Sequence, residues 1–162
     1  MSHKKIKSSK QLVKIRSQLK KEGKKVVFTN GCFDLLHRGH IECLRKARSL
    51  GDVLMVGLNS DSSVRKIKGE KRPILSQNDR AEILASLEMV DYVLIFNEET
   101  PYKVIARLVP DILVKGADYR KDEIVGKDIV ESSGGRVIRV KQVAGRSVRD
   151  IIRKISSRYA GA

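Results

Sequence analysis

The sequence predicts an α/β fold: one domain built on a five-stranded parallel sheet with helices on both faces. Three observations predict it. Apolar, β-rich runs alternate with helical patterns about five times along the chain. Those runs are mostly apolar rather than alternating, as strands covered on both faces are, although residues 137–140 include Arg139. No linker, internal repeat or low-complexity tract divides the 162 residues.

The first 25 residues read as a basic N-terminal arm and helix, ahead of a domain spanning residues 26–162. Leu12, Ile15 and Leu19 recur at i, i+3 and i+7, and Gly23 supplies a stop. Residues 26–29, 53–58, 92–96, 112–114 and 137–140 are the expected strands. A helix over residues 40–49 ends at Gly51. Ser76 is the expected N-cap of a helix over residues 77–88, with Asp79 at the acidic capping-box position. Thr100-Pro101 opens another helix and Ser147 opens the last.

The formal charge of +15 invites a nucleic-acid reading until its distribution is followed. Residues 1–25 hold ten Lys/Arg against one Glu, and residues 136–162 hold eight against one Asp. The middle of the chain carries 16 Lys/Arg and 17 Asp/Glu, so both basic blocks are terminal. A basic arm can grip RNA or an anionic membrane, but aromatic platforms for stacking bases are absent there, and a solvated helix accounts for it as well. Nucleic acid is therefore not the expected partner. No apolar run approaches the roughly 18 residues of a membrane span, and the N-terminus lacks a secretory signal's apolar region. Two cysteines make no disulfide framework, so a reducing cytoplasm is the expected location.

Chemistry concentrates in TNGCFDLLHRGHIECL, residues 29–44, which leave the first strand and enter a helix. Ligands of open α/β sheets gather at such strand ends. Cys32, His37, His40 and Cys43 spell C-x4-H-x2-H-x2-C, four nitrogen and sulfur ligands for a tetrahedral zinc. Against that, Cys32 sits beside Gly31 in a turn, and His40 and Cys43 share a helix whose core side also needs Leu44. A phosphate site explains more of the residues. Gly31 lets the backbone turn, Gly39 clears the helix start, and the helix N-terminus attracts anions. His37 and His40 add imidazole donors aimed at charge that builds up during substitution at phosphorus. No metal ligand is assigned to protein side chains.

Gly31-Cys32-Phe33-Asp34-Leu35-Leu36-His37-Arg38-Gly39-His40 resembles the signature of the cytidylyltransferase-like nucleotidyltransferases, whose core is an H-x-G-H element. Further stretches resemble the adenylyltransferase domains of ADP-heptose synthases. These are Asn59-Ser60-Asp61 with Val64, Lys68-Gly69, Arg72-Pro73, Val114-Lys115-Gly116-Ala117-Asp118-Tyr119, Gly134-Gly135-Arg136-Val137 and Gly145-Arg146-Ser147. The resemblance covers about residues 9–158.

It implies a Rossmann-like domain that transfers AMP from ATP to D-glycero-β-D-manno-heptose 1-phosphate, giving ADP-heptose and pyrophosphate for lipopolysaccharide core synthesis, with Mg2+ as cofactor. His37 and His40 are then the catalytic pair. Asn30, Gly31, Cys32, Phe33, Gly39, Gly116, Ser147 and Arg149 are expected to bind the nucleotide. Asp34, Asn59, Asp61, Lys68, Arg72 and Asp118 are expected at the acceptor. Solvated charge explains Lys68 and Arg72 as well, and a helix cap explains Asp61. Many relatives carry a sugar kinase ahead of this domain, so the kinase is expected here as a separate chain; a homo-oligomer is left open. One departure stands out: relatives open the last helix with Ser-Thr-Thr, and this chain has Ser147-Val148-Arg149. The alternatives are a glycerol 3-phosphate cytidylyltransferase, an FAD synthetase, or a non-catalytic nucleotide- or RNA-binding protein.

Overall fold

The computed structural model describes residues 2–117, 120–141 and 147–160. Five strands, β1 (Val26–Gly31), β2 (Val53–Asn59), β3 (Tyr92–Phe96), β4 (Ile112–Gly116) and β5 (Arg136–Val140), form one all-parallel sheet in the order β3-β2-β1-β4-β5. This is the expected α/β fold. β1 and β4 run past their expected ends because polar residues continue the ladders: Asn30 pairs with Gly57, and Lys115 with Arg139. The order reverses between β1 and β4. Their mutual ladder is only Val27–Ile112 and Phe28–Leu113, and past it the sheet parts at its C-terminal edge. Such a parting is where an open α/β sheet admits ligands.

Helices cover both faces. On one, α2 (Arg38–Arg48) and α4 (Gln77–Ala85) bury Leu44, Ala47, Ala81, Leu84 and Ala85 against Val27, Leu54, Val56 and Val93. On the other, α1 (Ser9–Lys21), α5 (Tyr102–Leu108) and α6 (Lys127–Ser132) bury Leu12, Leu19, Ile105, Leu108 and Val130 against Phe28, Met55 and Leu113. The basic α1 is held by its apolar stripe and by one buried cation. Arg16 donates to the carbonyls of Leu108 and Val109 and to the carboxylate of Asp111 at 3.0 Å. Ahead of α1, Ile6 forms a parallel bridge to Val93, and Lys5 donates to the carbonyls of Leu87 and Val90.

Several boundaries differ from expectation. The helix entering the histidine segment starts at Arg38, not at residue 40, because His37 itself caps it. Gly23, at φ 69°, stops α1 as expected. Ser76 caps α4 through the Asp79 N–H, but α4 ends at Ala85, where Leu87 turns back onto the Leu84 carbonyl. The helix α3 (Asp61–Lys68) is capped by Ser60 rather than by Asp61. α6, one and a half turns opened by Gly126 at φ 82°, was not anticipated. The last helix, α7 (Val148–Tyr159), begins at Ser147 as expected and buries no residue. Among the described residues no helix is long and apolar enough to cross a membrane.

Candidate active site

The site is built from the loop joining β1 to α2. Phe33 adopts φ 44°, a left-handed conformation unusual for a bulky residue and frequent where backbone is held for function. Its ring folds back over Gly31, where a Cβ would meet it at 3.1 Å, and stands 5.3 Å from the His40 ring. Gly31 is thus required less for a tight turn than for space.

His37 takes the N-cap of α2, and its Nδ1 accepts the Gly39 N–H at 3.1 Å. Three residues on, His40 reaches back so that its Nδ1 accepts the His37 N–H at 3.4 Å. The ring nitrogen that accepts carries no hydrogen in a neutral imidazole, so both rings bear it on Nε2. The two rings stack with centroids 3.8 Å apart and planes inclined by 27°. Burial and then the neighbouring His37 charge hold the His40 pKa down at about 4, so this ring is neutral at neutral pH. Two Nε2–H donors therefore stand at the positive end of α2.

The zinc geometry is not assembled. Among the described residues no three His, Cys, Asp or Glu side chains converge as a metal site requires. Burial raises the Cys32 thiol above its ordinary value, against the opposing charges of Lys68, Arg80 and Arg72, which disfavours the thiolate that zinc binds.

Around the loop lie two lobes of one cleft. The narrower, about 330 Å³, reaches His37, Gly39, Gly116 and Ser147. The wider, about 420 Å³, reaches Asp34, Asn59, Arg72 and Arg149. Asn30, Gly31, Cys32, Phe33, His40 and Lys68 line both. All but two of the expected site residues are thus brought together. Asp118 lies outside the described residues. Asp61 lines neither lobe; its carboxylate accepts from Arg80 at 2.7 Å.

Two placements alter expected roles. The Asp34 carboxylate is buried and already bonded, to Arg72 Nε and to the N–H groups of Ile74 (2.7 Å) and Leu75 (3.1 Å). It fixes the loop that carries Arg72. The Ser147 hydroxyl likewise donates to the Asp150 carboxylate at 2.6 Å while accepting the Asp150 N–H. Its cap function competes with any ligand contact.

Sequence reasoning missed Arg80. Fully buried on α4, it donates to the carbonyls of Cys32 (2.6 Å), Asn59 (2.9 Å) and Leu75 (3.0 Å) and to Asp61. A single guanidinium thereby ties the ends of β1 and β2 to the Arg72 loop. Its signal was an arginine on the apolar stripe of Ala81, Leu84 and Ala85. Glu99, Thr100, Lys115 and Glu123 also line the wider lobe and were not expected there.

The family model for cytidylyltransferase-like proteins matches residues 28–158. The bifunctional protein HldE of Citrifermentans bemidjiense is 61% identical over 85% of this chain and 28% of its own length. That of Pelobacter propionicus is 53% identical over 98% of this chain and 33% of its own. The chain spans about a third of the length of these curated relatives. A crystal structure of the lipopolysaccharide core biosynthesis protein from Thermoplasma volcanium is 32% identical, with a TM-score of 0.62, over 75% of this chain and 98% of that one. The pantoate-beta-alanine ligase of Francisella tularensis, at 20% identity and a TM-score of 0.64 over 94% of this chain and 77% of that one, shares the fold.

Proposed function

The chain belongs to the cytidylyltransferase-like family, and from that footing we propose that it transfers AMP from ATP to D-glycero-β-D-manno-heptose 1-phosphate, releasing pyrophosphate. Residues 26–162 carry the chemistry in this reading, with residues 1–25 as a basic flank. The observation that carries it is the locked pair of Nε2–H donors, His37 and His40, at the start of α2 where the sheet order reverses. The names of the relatives, bifunctional HldE and a lipopolysaccharide core biosynthesis protein, support the heptose acceptor.

An oxygen of the acceptor phosphate forms a bond to the α-phosphorus of ATP. The bond from that phosphorus to the bridging oxygen breaks, and its electron pair leaves with pyrophosphate. The acceptor is ionised at neutral pH, so no general base is needed. Rate then rests on alignment and on donors aimed at the developing charge. The narrower lobe, with His37, Gly39 and the α2 N-terminus, suits the triphosphate; the wider lobe suits the sugar phosphate. There Arg72, anchored through Nε by Asp34, turns the rest of its fork to a phosphate, and Asn59, Thr100, Glu99 and Glu123 offer groups for sugar hydroxyls. With no cage of protein carboxylates among the described residues, the donor set fits a Mg2+ carried by the triphosphate, where it would neutralise phosphate charge. A sugar kinase must supply the acceptor.

A pyrophosphate-release screen crossing ATP and CTP with heptose 1-phosphate, other sugar 1-phosphates, glycerol 3-phosphate and FMN tests the proposal. ATP with heptose 1-phosphate should be fastest. Preference for CTP with glycerol 3-phosphate, or no release with any pair, would overturn it.

A further inference from the structure

Lys115 is a buried cation shared by both lobes of the cleft. It lies near the end of β4, buried to 8% exposure, and it lines both lobes. On one side β4 still pairs with β5, Lys115 opposite Arg139. On the other, the ladder to β1 has ended at Leu113, so Lys115 stands on the wall where the sheet parts. Among the described residues the only other Lys or Arg common to both lobes is Lys68, which is exposed at the last turn of α3.

The difference between these lysines is physical. A side chain rooted in a paired strand is fixed in position, whereas one at an exposed helix end pays rotamer entropy to settle on a ligand. An ammonium held out of bulk water interacts more strongly with an incoming anion than one in solvent does. The strand end also belongs to the same edge that carries Asn30 and Gly31, so the lysine and the histidine loop face one space.

We propose that Lys115 is a phosphate-contacting catalytic residue: its ammonium bonds the phosphoryl group in transit, at the boundary between the nucleotide in one lobe and the acceptor phosphate in the other. It serves both substrates, while Arg72 serves the acceptor and the α2 N-terminus serves the nucleotide. The inference rests on the nucleotidyl-transfer reading, but its first measurement needs only ATP.

ATP binding to the wild type, Lys115→Met and Lys115→Arg is measured by calorimetry, with the thermal midpoint of each free protein. The methionine variant should keep its midpoint and lose about tenfold or more in ATP affinity, and the arginine variant should recover part of the loss. Turnover with heptose 1-phosphate should fall roughly 10²-fold in kcat for Lys115→Met. Unchanged ATP affinity in the folded methionine variant overturns the proposal whatever the acceptor is. Wild-type ATP binding without pyrophosphate release on any sugar 1-phosphate overturns only the acceptor, and the binding comparison still decides Lys115. Absence of ATP binding by the wild type overturns both. Should the methionine variant not fold, the wild type is labelled with pyridoxal 5′-phosphate and borohydride. Label on Lys115 that ATP suppresses supports the proposal; label that ATP leaves unchanged, or none on Lys115, overturns it.

Discussion

The imidazoles of His37 and His40 stack with centroids 3.8 Å apart, and each accepts a backbone N–H of the same helix start on its Nδ1. Capping and the proposed catalysis thus fall on the same rings, and the two can be separated. His37→Ala and His40→Ala should each lower kcat by roughly 10²-fold or more. His37→Asn keeps an N-cap acceptor, so it should lose turnover while holding stability within about 1 kcal/mol of wild type. Near-normal turnover in His37→Asn would reduce His37 to a cap.

The depressed pKa of His40 makes stability depend on pH in one direction. The unfolded side chain titrates near 6.5 and the folded one near 4. Between these values the unfolded chain holds the proton and the native chain does not, so stability falls as pH drops from about 6.5 toward 4 and is unaffected by this group above that window. Urea denaturation of wild type and His40→Gln at pH 7.5, 6.0 and 5.0 checks it. The variant should show a shallower loss across the acid window; equal slopes would mean that His40 titrates normally in the native state.

Removing Arg80 strips bonds from three carbonyls and from Asp61 at once. Arg80→Met should therefore destabilise by about 3 to 5 kcal/mol, as loss of one partner from a buried charged network does. Arg80→Lys should regain only part, because an ammonium lacks the planar fork that reaches separated acceptors. A loss under about 1 kcal/mol on chemical denaturation would show that the loops hold themselves.

Arg149 was expected at the nucleotide with Ser147, yet it lines the wider lobe with Arg72 while Ser147 lines the narrower one. Arg149→Ala should accordingly raise the acceptor KM by roughly 5- to 10-fold, a charge-assisted contact discounted for an exposed side chain, and change the ATP KM less. The reverse pattern in steady-state kinetics would put the triphosphate in the wider lobe.

The parallel sheet was legible because each strand is a local run of apolar residues and each gap has helical spacing. The histidine loop was legible because its residues are contiguous. What escaped is nonlocal. Arg80 meets carbonyls 21 and 48 positions away, and no spacing rule announces such a partner. Asp34 looked free to read hydroxyls because its three donors, Arg72, Ile74 and Leu75, stand about forty residues on. Lys115 lies within the stretch from Val114 to Tyr119, but only the parting of β1 from β4 gives it two lobes to face.

The bridge from Ile6 to Val93, with the Lys7 N–H bonded to the Val93 carbonyl at 2.9 Å, concerns solubility as much as folding. β3 is an outermost strand, and an outermost strand offers free N–H and C=O groups on which another molecule can add a strand of its own. Ile6 and Lys7 occupy part of that row, and Lys5 fastens them through two carbonyls just ahead of β3. A shortened chain beginning at Ser9 would keep every residue of the cleft and uncover this border. Its active molecules would be drawn into self-association, so lost activity on trimming would report aggregation rather than chemistry.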